Sequence, residues 1–285
     1  MKRDVYLSTG GFSGEPASSV VEALLDHGLT HFELSGGVWR EDLLGELKKL
    51  SQKASLRLHN YFPPPAVPFV FNLASPNPEV QKLSQGMLQQ AIEWSAELGS
   101  EFYGFHAGFL TDPSAQELGR KFNSRPLFDR EEAIHRFVDV TGQWAEKAKI
   151  YGVKLLIENN VLSPFNYKEF GQNILLMVTP EECRDVLKQL PGVGLLLDVA
   201  HLKVSAQTLG FSAESLFPIC GELIQGYHLS DNNGLADSND AFTMDSWFWK
   251  HMNRKLQYYS LEVYSKDPEI LMRQVELCQK QLQAF

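Results

Sequence analysis

The sequence is poor in cysteine: Cys183, Cys220 and Cys278 are the only three in 285 residues, and no CxxC spacing occurs. An odd count without that spacing excludes a closed disulfide framework and a thiolate zinc knuckle, and it fits a reducing cytoplasm. All three fall in segments of helical composition and read as small buried residues rather than nucleophiles. Positive charge is also short. Lys and Arg number 26 against 35 Asp and Glu, a net charge of −9, so the long-range field repels phosphate backbones and anionic membrane surfaces. No apolar run approaches spanning length, and the start MKRDVYLSTGGF carries only a short one, so neither secretion nor membrane insertion is signalled. Linkers, internal repeats, low-complexity stretches and a glycine-rich dinucleotide fingerprint are missing as well. One domain over 1–285, located in the cytoplasm and without a nucleotide cofactor, is the expectation.

What is present is a rhythm. Eight runs rich in apolar, β-branched and aromatic residues recur at 4–10, 31–37, 55–62, 102–108, 154–160, 194–201, 224–231 and 258–264. Helical composition fills 15–27, 40–52, 78–98, 130–150, 180–190 and 268–281 between them, and the connections after His201 and after Asp231 read as the least regular. Ser75-Pro-Asn-Pro-Glu, Asp129-Arg-Glu-Glu and Thr179-Pro-Glu-Glu are helix starts, with a capping side chain or proline ahead of acidic first-turn residues. Strands apolar on both faces belong to parallel sheets, and eight of them with intervening helices predict a closed (β/α)₈ TIM barrel rather than an open doubly wound sheet.

Position carries the chemistry. Glu33, His59, His106, Glu158, Asp198, His228 and Glu262 all fall at or near predicted strand C-termini. In a barrel those ends form the active-site mouth, where a carboxylate must be paired or bind a cation because isolated burial costs several kcal/mol, roughly. Glu158, Asp198, His228 and Glu262 come from four successive strands and offer oxygen and imidazole donors without thiolate. That set suits Mn²⁺, Mg²⁺, Co²⁺ or Zn²⁺ and leaves positions open for substrate oxygens. A lone residue of this kind is more often a satisfied hydrogen-bonding group, so the weight lies on the set. Glu33 reads either as orienting a ligand or as accepting backbone hydrogen bonds, with orientation favoured. Tyr61, Phe62, Phe69 and Phe71 after the third run, and Trp247 and Trp249 after the seventh, suit equally the stacking of a sugar ring or the packing of loops. Lys168, Lys203, Arg120 and Arg125 are the cations placed to approach a substrate phosphate, and none lies in a recognisable phosphate loop.

These segments resemble the xylose isomerase-like barrels, a family of sugar isomerases, ketose epimerases and endonuclease IV. The likeness spans almost the whole chain: LHNYF with FNLASPNPE, then LGSEFYGFHAG, LLIENN, LLLDVAH, YHLSDNNG and LEVY. Its most specific parts are Asp198-x-x-His201 and His228-x-x-Asp231. The resemblance implies that Glu158, Asp198, His228 and Glu262 share one metal, that His201 contacts substrate or a further metal, and that His59, His106 and Asp231 belong to the substrate-binding cavity. It further implies, in the epimerase branch, that Glu158 and Glu262 stand on opposite faces of a small sugar and move the proton next to its carbonyl. Phosphodiester cleavage at abasic DNA is the alternative, but that branch has an Asp-x-His pair where this chain reads Asp237-Ser-Asn239, and the negative charge is wrong for wrapping a duplex. A barrel that keeps its metal without catalysis is the third reading. Formation of homo-oligomers is left open.

Overall fold

The computed structural model describes residues 3–283. Within them the eight predicted runs are strands, each shorter than its run: β1 (Tyr6–Ser8), β2 (His31–Leu34), β3 (Ser55–His59), β4 (Phe102–His106), β5 (Lys154–Glu158), β6 (Gly194–Asp198), β7 (Ile224–Leu229) and β8 (Tyr258–Leu261). Each pairs in parallel with the next and β8 pairs with β1, closing the TIM barrel that the rhythm predicts. The helices are α1 (Ala17–Leu25), α2 (Leu43–Leu50), α3 (Pro78–Glu97), α4 (Arg130–Ile150), α5 (Pro164–Phe170), α6 (Pro180–Lys188), α7 (Val199–Leu209), α8 (Leu216–Cys220) and α9 (Pro268–Gln283).

The predicted helix starts carry caps. Asn77 accepts from the Glu79 amide ahead of α3, Asp129 from Glu132 ahead of α4, and Thr179 from Glu182 ahead of α6, each stabilising by about 1 kcal/mol. One expectation fails: the chain after β6 is regular. Asp198 ends the strand and caps α7 by accepting the His201 amide at 2.7 Å, and Gly210, at φ 77°, closes that helix in the left-handed conformation that glycine adopts without strain. Val199, Ala200 and His201 read as the end of the strand run because their apolar and β-branched residues match the core on either account, and the structure places them in α7. The chain after β7 is irregular as expected, with a short 3₁₀ turn at Trp247–Lys250.

Period two sorts each strand. One set of side chains faces the helices and joins the main core with residues such as Phe32, Leu58, Phe105, Leu197 and Leu261, each stabilising by about 1.5–3 kcal/mol on burial. The other set faces the barrel axis. Its middle layer includes Leu156, Leu196 and Tyr258 as a small apolar cluster. Below it the Arg57 guanidinium lies 3.8 Å from the centre of the Tyr6 ring and 4.6 Å from that of Tyr258. Gly104 is required there, since a Cβ would stand 2.7 Å from Leu196 Cδ2 and 2.9 Å from His59 Cδ2. One step further along each strand the axis-facing residues are polar, and there the apolar filling ends.

Candidate active site

Strand register assembles the mouth. His106 is level with Glu158 and Asp198 with His228, so neighbouring strands deliver their last inward side chains to one plane. Oxygen or nitrogen atoms of Glu158, Asp198, His228 and Glu262 all lie within 4.8 Å of one another, and all four residues are buried. Glu158 is central. Its Oε2 stands 2.7 Å from His59 Nε2 and 3.2 Å from His106 Nε2, and its Oε1 stands 3.0 Å from His228 Nδ1. Burial pushes the Glu158 carboxyl up, but His106, His228 and His59 outweigh it and hold the group well below the usual carboxylate range. Burial pushes Glu262 up, with Glu158 and Glu33 adding to the rise against His228 and His59. Burial pushes Asp198 up to about 7; His201 opposes this, and Glu158, Asp237 and Glu262 add to it.

The supporting contacts are as ordered as the cluster. On the far side of His228 its Nε2 lies 2.9 Å from Glu33 Oε1, and the buried Tyr258 hydroxyl donates to Glu33 Oε2. Burial pushes Glu33 up, yet His228 and His59 with the Tyr258 hydroxyl bring it down to about 2. Ser8, at the end of β1, donates to Glu262 Oε1 at 3.3 Å. Asn159 ties β5 to β6 by donating to the Asp198 carbonyl and accepting its amide. His201 Nδ1 is 2.9 Å from the Asn159 carbonyl and its Nε2 is 3.3 Å from Asp237 Oδ2.

A divalent cation fits this arrangement. Asp198 Oδ2 is buried and has no hydrogen-bond partner among the described residues, and burial beside other carboxylates holds the same group near neutrality. A cation among three carboxylates and an imidazole relieves both strains, and the donor set suits Mn²⁺, Mg²⁺, Co²⁺ or Zn²⁺. His59, His106 and Glu158 form a second close triad at the edge of the first.

From this cluster a cavity of about 260 Å³ opens past Tyr61, His106, His201 and Asp237 toward α5. A larger cleft of about 1090 Å³ runs from Arg3 past Trp247 and Trp249 to Gln281; it contains none of the clustered carboxylates and imidazoles, so size alone assigns it nothing. Of the aromatics near the mouth, Tyr61 lines the cavity, whereas Phe62 packs on Trp94, Phe71 on Phe105, Trp247 on Phe217 and Trp249 on Phe242. Phe69 packs against the main core. Asp231 is not brought into the cluster. Its Oδ1 accepts from Lys203 Nζ at 2.6 Å and its Oδ2 from Ser246 at 3.0 Å, which spends it on the loop after β7. Ser8, Asn159 and Tyr258 are the site residues that the sequence reading does not single out. Ser8 obeys the same rule as the others, a polar residue ending a buried strand, whereas Tyr258 begins β8 and gives no positional signal.

The sequence matches the family described as xylose isomerase-like TIM barrel over residues 21–257. No curated protein sequence matches. Among solved structures, a D-tagatose 3-epimerase-like protein superposes with a TM-score of 0.72 at 20% identity, covering 99% of this chain and 97% of its own. A Thermus thermophilus protein soaked with zinc chloride gives 0.61 at 22% identity, covering 97% and 98%. D-psicose 3-epimerase from Clostridium cellulolyticum with D-tagatose gives 0.65 at 15% identity, covering 99% and 97%. At these identities the likeness is one of fold.

Proposed function

The chain belongs to the xylose isomerase-like TIM barrel family, and from that premise we propose that it is a divalent-metal-dependent sugar isomerase or epimerase that moves the proton on the carbon next to a substrate carbonyl. The observation that carries this reading is geometric: two glutamates, Glu158 and Glu262, stand in one buried cluster with Asp198 and His228, their donor atoms all within 4.8 Å of one another. Two carboxyls at one metal site supply a base and an acid for moving a proton off and back onto carbon.

Glu158, Asp198, His228 and Glu262 would hold the cation. When bound, it supplies Lewis acidity, stabilising negative charge that develops on the substrate's carbonyl oxygen. Glu158, kept ionised by its imidazoles, accepts the proton from carbon. Glu262, in its protonated form, donates one from the other side, and the reverse reaction exchanges the roles. His228 is kept in place by Glu33 behind it, and Ser8 fixes the direction of the Glu262 carboxyl. The deep cluster excludes bulk water, which strengthens each of these interactions. The ketose epimerases among the structural neighbours support a small sugar as substrate.

Abasic-site phosphodiester cleavage has one observation in its favour, the His59, His106 and Glu158 triad with the His201 and Asp237 pair beside it. Against it stands Asn239, whose amide nitrogen is 3.4 Å from Asp237 Oδ2 and offers donors where a cation needs a lone pair. The test is exchange of the α-proton of a ketose panel into deuterium oxide, with metal content measured on the same samples. Glu158→Gln and Glu262→Gln are each expected to abolish exchange. A variant that retains both metal and full exchange removes that residue from the proton-transfer pair.

A further inference from the structure

Four cations stand in the sequence as candidates to meet a substrate anion, and the structure separates them. Lys203 is committed to Asp231 and the Asn232 carbonyl, and Arg125 to Glu117 and the Asp112 carbonyl. Lys168 does not line the cavity. Arg120 does: it is an exposed residue at the cavity, and its guanidinium has no acidic or hydrogen-bonding partner among the described residues.

A second group in the same cavity lacks a partner. Ser163 is only 8% exposed, precedes α5 without capping it, and its Oγ makes no hydrogen bond among the described residues. Both line the same cavity, and Asn166 of α5 ties their segments by accepting from the Phe122 amide at 2.8 Å and donating to the Arg120 carbonyl at 3.3 Å. That clamp pins the segment after β4 to the helix that Ser163 precedes. The wall around them includes Leu118, Phe122 and Phe165, and Ser163 is the buried group of the pair that finds no partner in it.

We infer that the substrate carries an anionic oxygen group, phosphate or carboxylate, at the end remote from its reacting carbonyl, and that Arg120 and Ser163 read it. The inference rests on the sugar reading given above and narrows its substrate class. A guanidinium has donors only and a serine hydroxyl has one to give, so the pair complements acceptor oxygens. Charge-assisted bonds of this kind are about twice as strong as neutral ones. A neutral hydroxyl satisfies Ser163 but leaves the guanidinium without its counter-charge. Asp237 supplies the opposite instruction. Its Oδ2 faces His201 and its Oδ1 is unpartnered among the described residues, so it repels an anion from the inner part of the cavity and sets the substrate's direction. The chain's net charge of −9 disfavours anions at long range, so recognition falls to contacts inside a Debye length of about 8 Å.

The test is calorimetric binding of D-fructose, D-fructose 6-phosphate and D-fructuronate to the manganese-loaded protein, with Arg120→Gln and Ser163→Ala alongside. Melting temperature controls for folding, and α-proton exchange is recorded on the same samples. At least one anionic sugar is expected to bind about tenfold or more tightly than fructose. Arg120→Gln brings that ratio close to one, and Ser163→Ala removes part of it. The anion with the larger Arg120-dependent advantage identifies phosphate or carboxylate. Equal binding of all three sugars, or an advantage that survives Arg120→Gln, overturns the inference. No exchange on any sugar with the Arg120-dependent advantage intact defeats the epimerase reading and leaves anion recognition standing; exchange on fructose without any anionic advantage does the reverse.

Discussion

Replacing Tyr258 by Phe removes one oxygen from the barrel interior and keeps the ring beneath the site. Tyr258 and Glu33 are fully buried, and the tyrosine hydroxyl donates to the Glu33 oxygen that does not face His228. Without it, Glu33 keeps its charge and loses an acceptor's partner in a dry environment, at a cost of about 1–3 kcal/mol. For a chain of this size that is a fall in melting temperature of roughly 2–4 °C per kcal/mol. The second consequence is specific to the site: a carboxylate that has lost its own support orients His228 less well, and outer-shell losses of this kind weaken metal binding by roughly 10–100-fold. Calorimetric titration with Mn²⁺ and thermal melting measure the two effects separately. Tyr259→Phe is the control, because that buried hydroxyl donates to the Asn253 carbonyl at 3.1 Å away from the cluster. It should lower the melting temperature and leave metal affinity alone. If Tyr258→Phe behaves like Tyr259→Phe, the chain from Tyr258 through Glu33 to His228 is packing and the reasoning is refuted.

Two further outcomes follow from local geometry. Gly104→Ala sets a methyl group under 3 Å from both Leu196 and His59, so it should destabilise by about 1–3 kcal/mol and weaken metal binding, as seen by melting with and without Mn²⁺; an unchanged protein would show that the barrel interior has slack. Burial raises the Glu117 carboxyl, but Arg125 and the Asn123 and Ser114 amides bring it down from 4.5 to about 2. Because the folded value lies below the unfolded one, its stabilisation is present above pH 4.5 and is lost as pH falls toward 2. Urea unfolding of Glu117→Gln across that window should lose less stability on acidification than the parent protein, and parallel curves would contradict the assignment.

The fold was legible because short runs apolar on both faces and helices with capped starts repeat the same two signals along the chain. Asp198 shows the limit of that reading. It is at once the last residue of β6, the cap of α7 and a member of the cluster, and a residue with three tasks blurs the boundary between strand and helix. The cluster itself was legible from strand-end carboxylates and imidazoles, since a barrel mouth gathers such residues whatever the loops do. Partnerships between loops were not. Asp231 closes on Lys203 and Ser246, and Asn166 bonds to the Phe122 amide and the Arg120 carbonyl; long-range pairings of this kind leave no periodic trace. Tyr258 is hidden for another reason, because an aromatic residue that begins a buried strand reads as core and here is core and support together.

The cation is the premise of the proposed chemistry. Anomalous scattering from a crystal grown with Mn²⁺ tests it most directly, since it locates the ion without any substrate. One fully occupied site is predicted among Glu158, Asp198, His228 and Glu262, with any second ion weaker and beside His59 and His106. No ion among those four residues contradicts the central claim, and three fully occupied sites would give the mouth to phosphodiester hydrolysis instead.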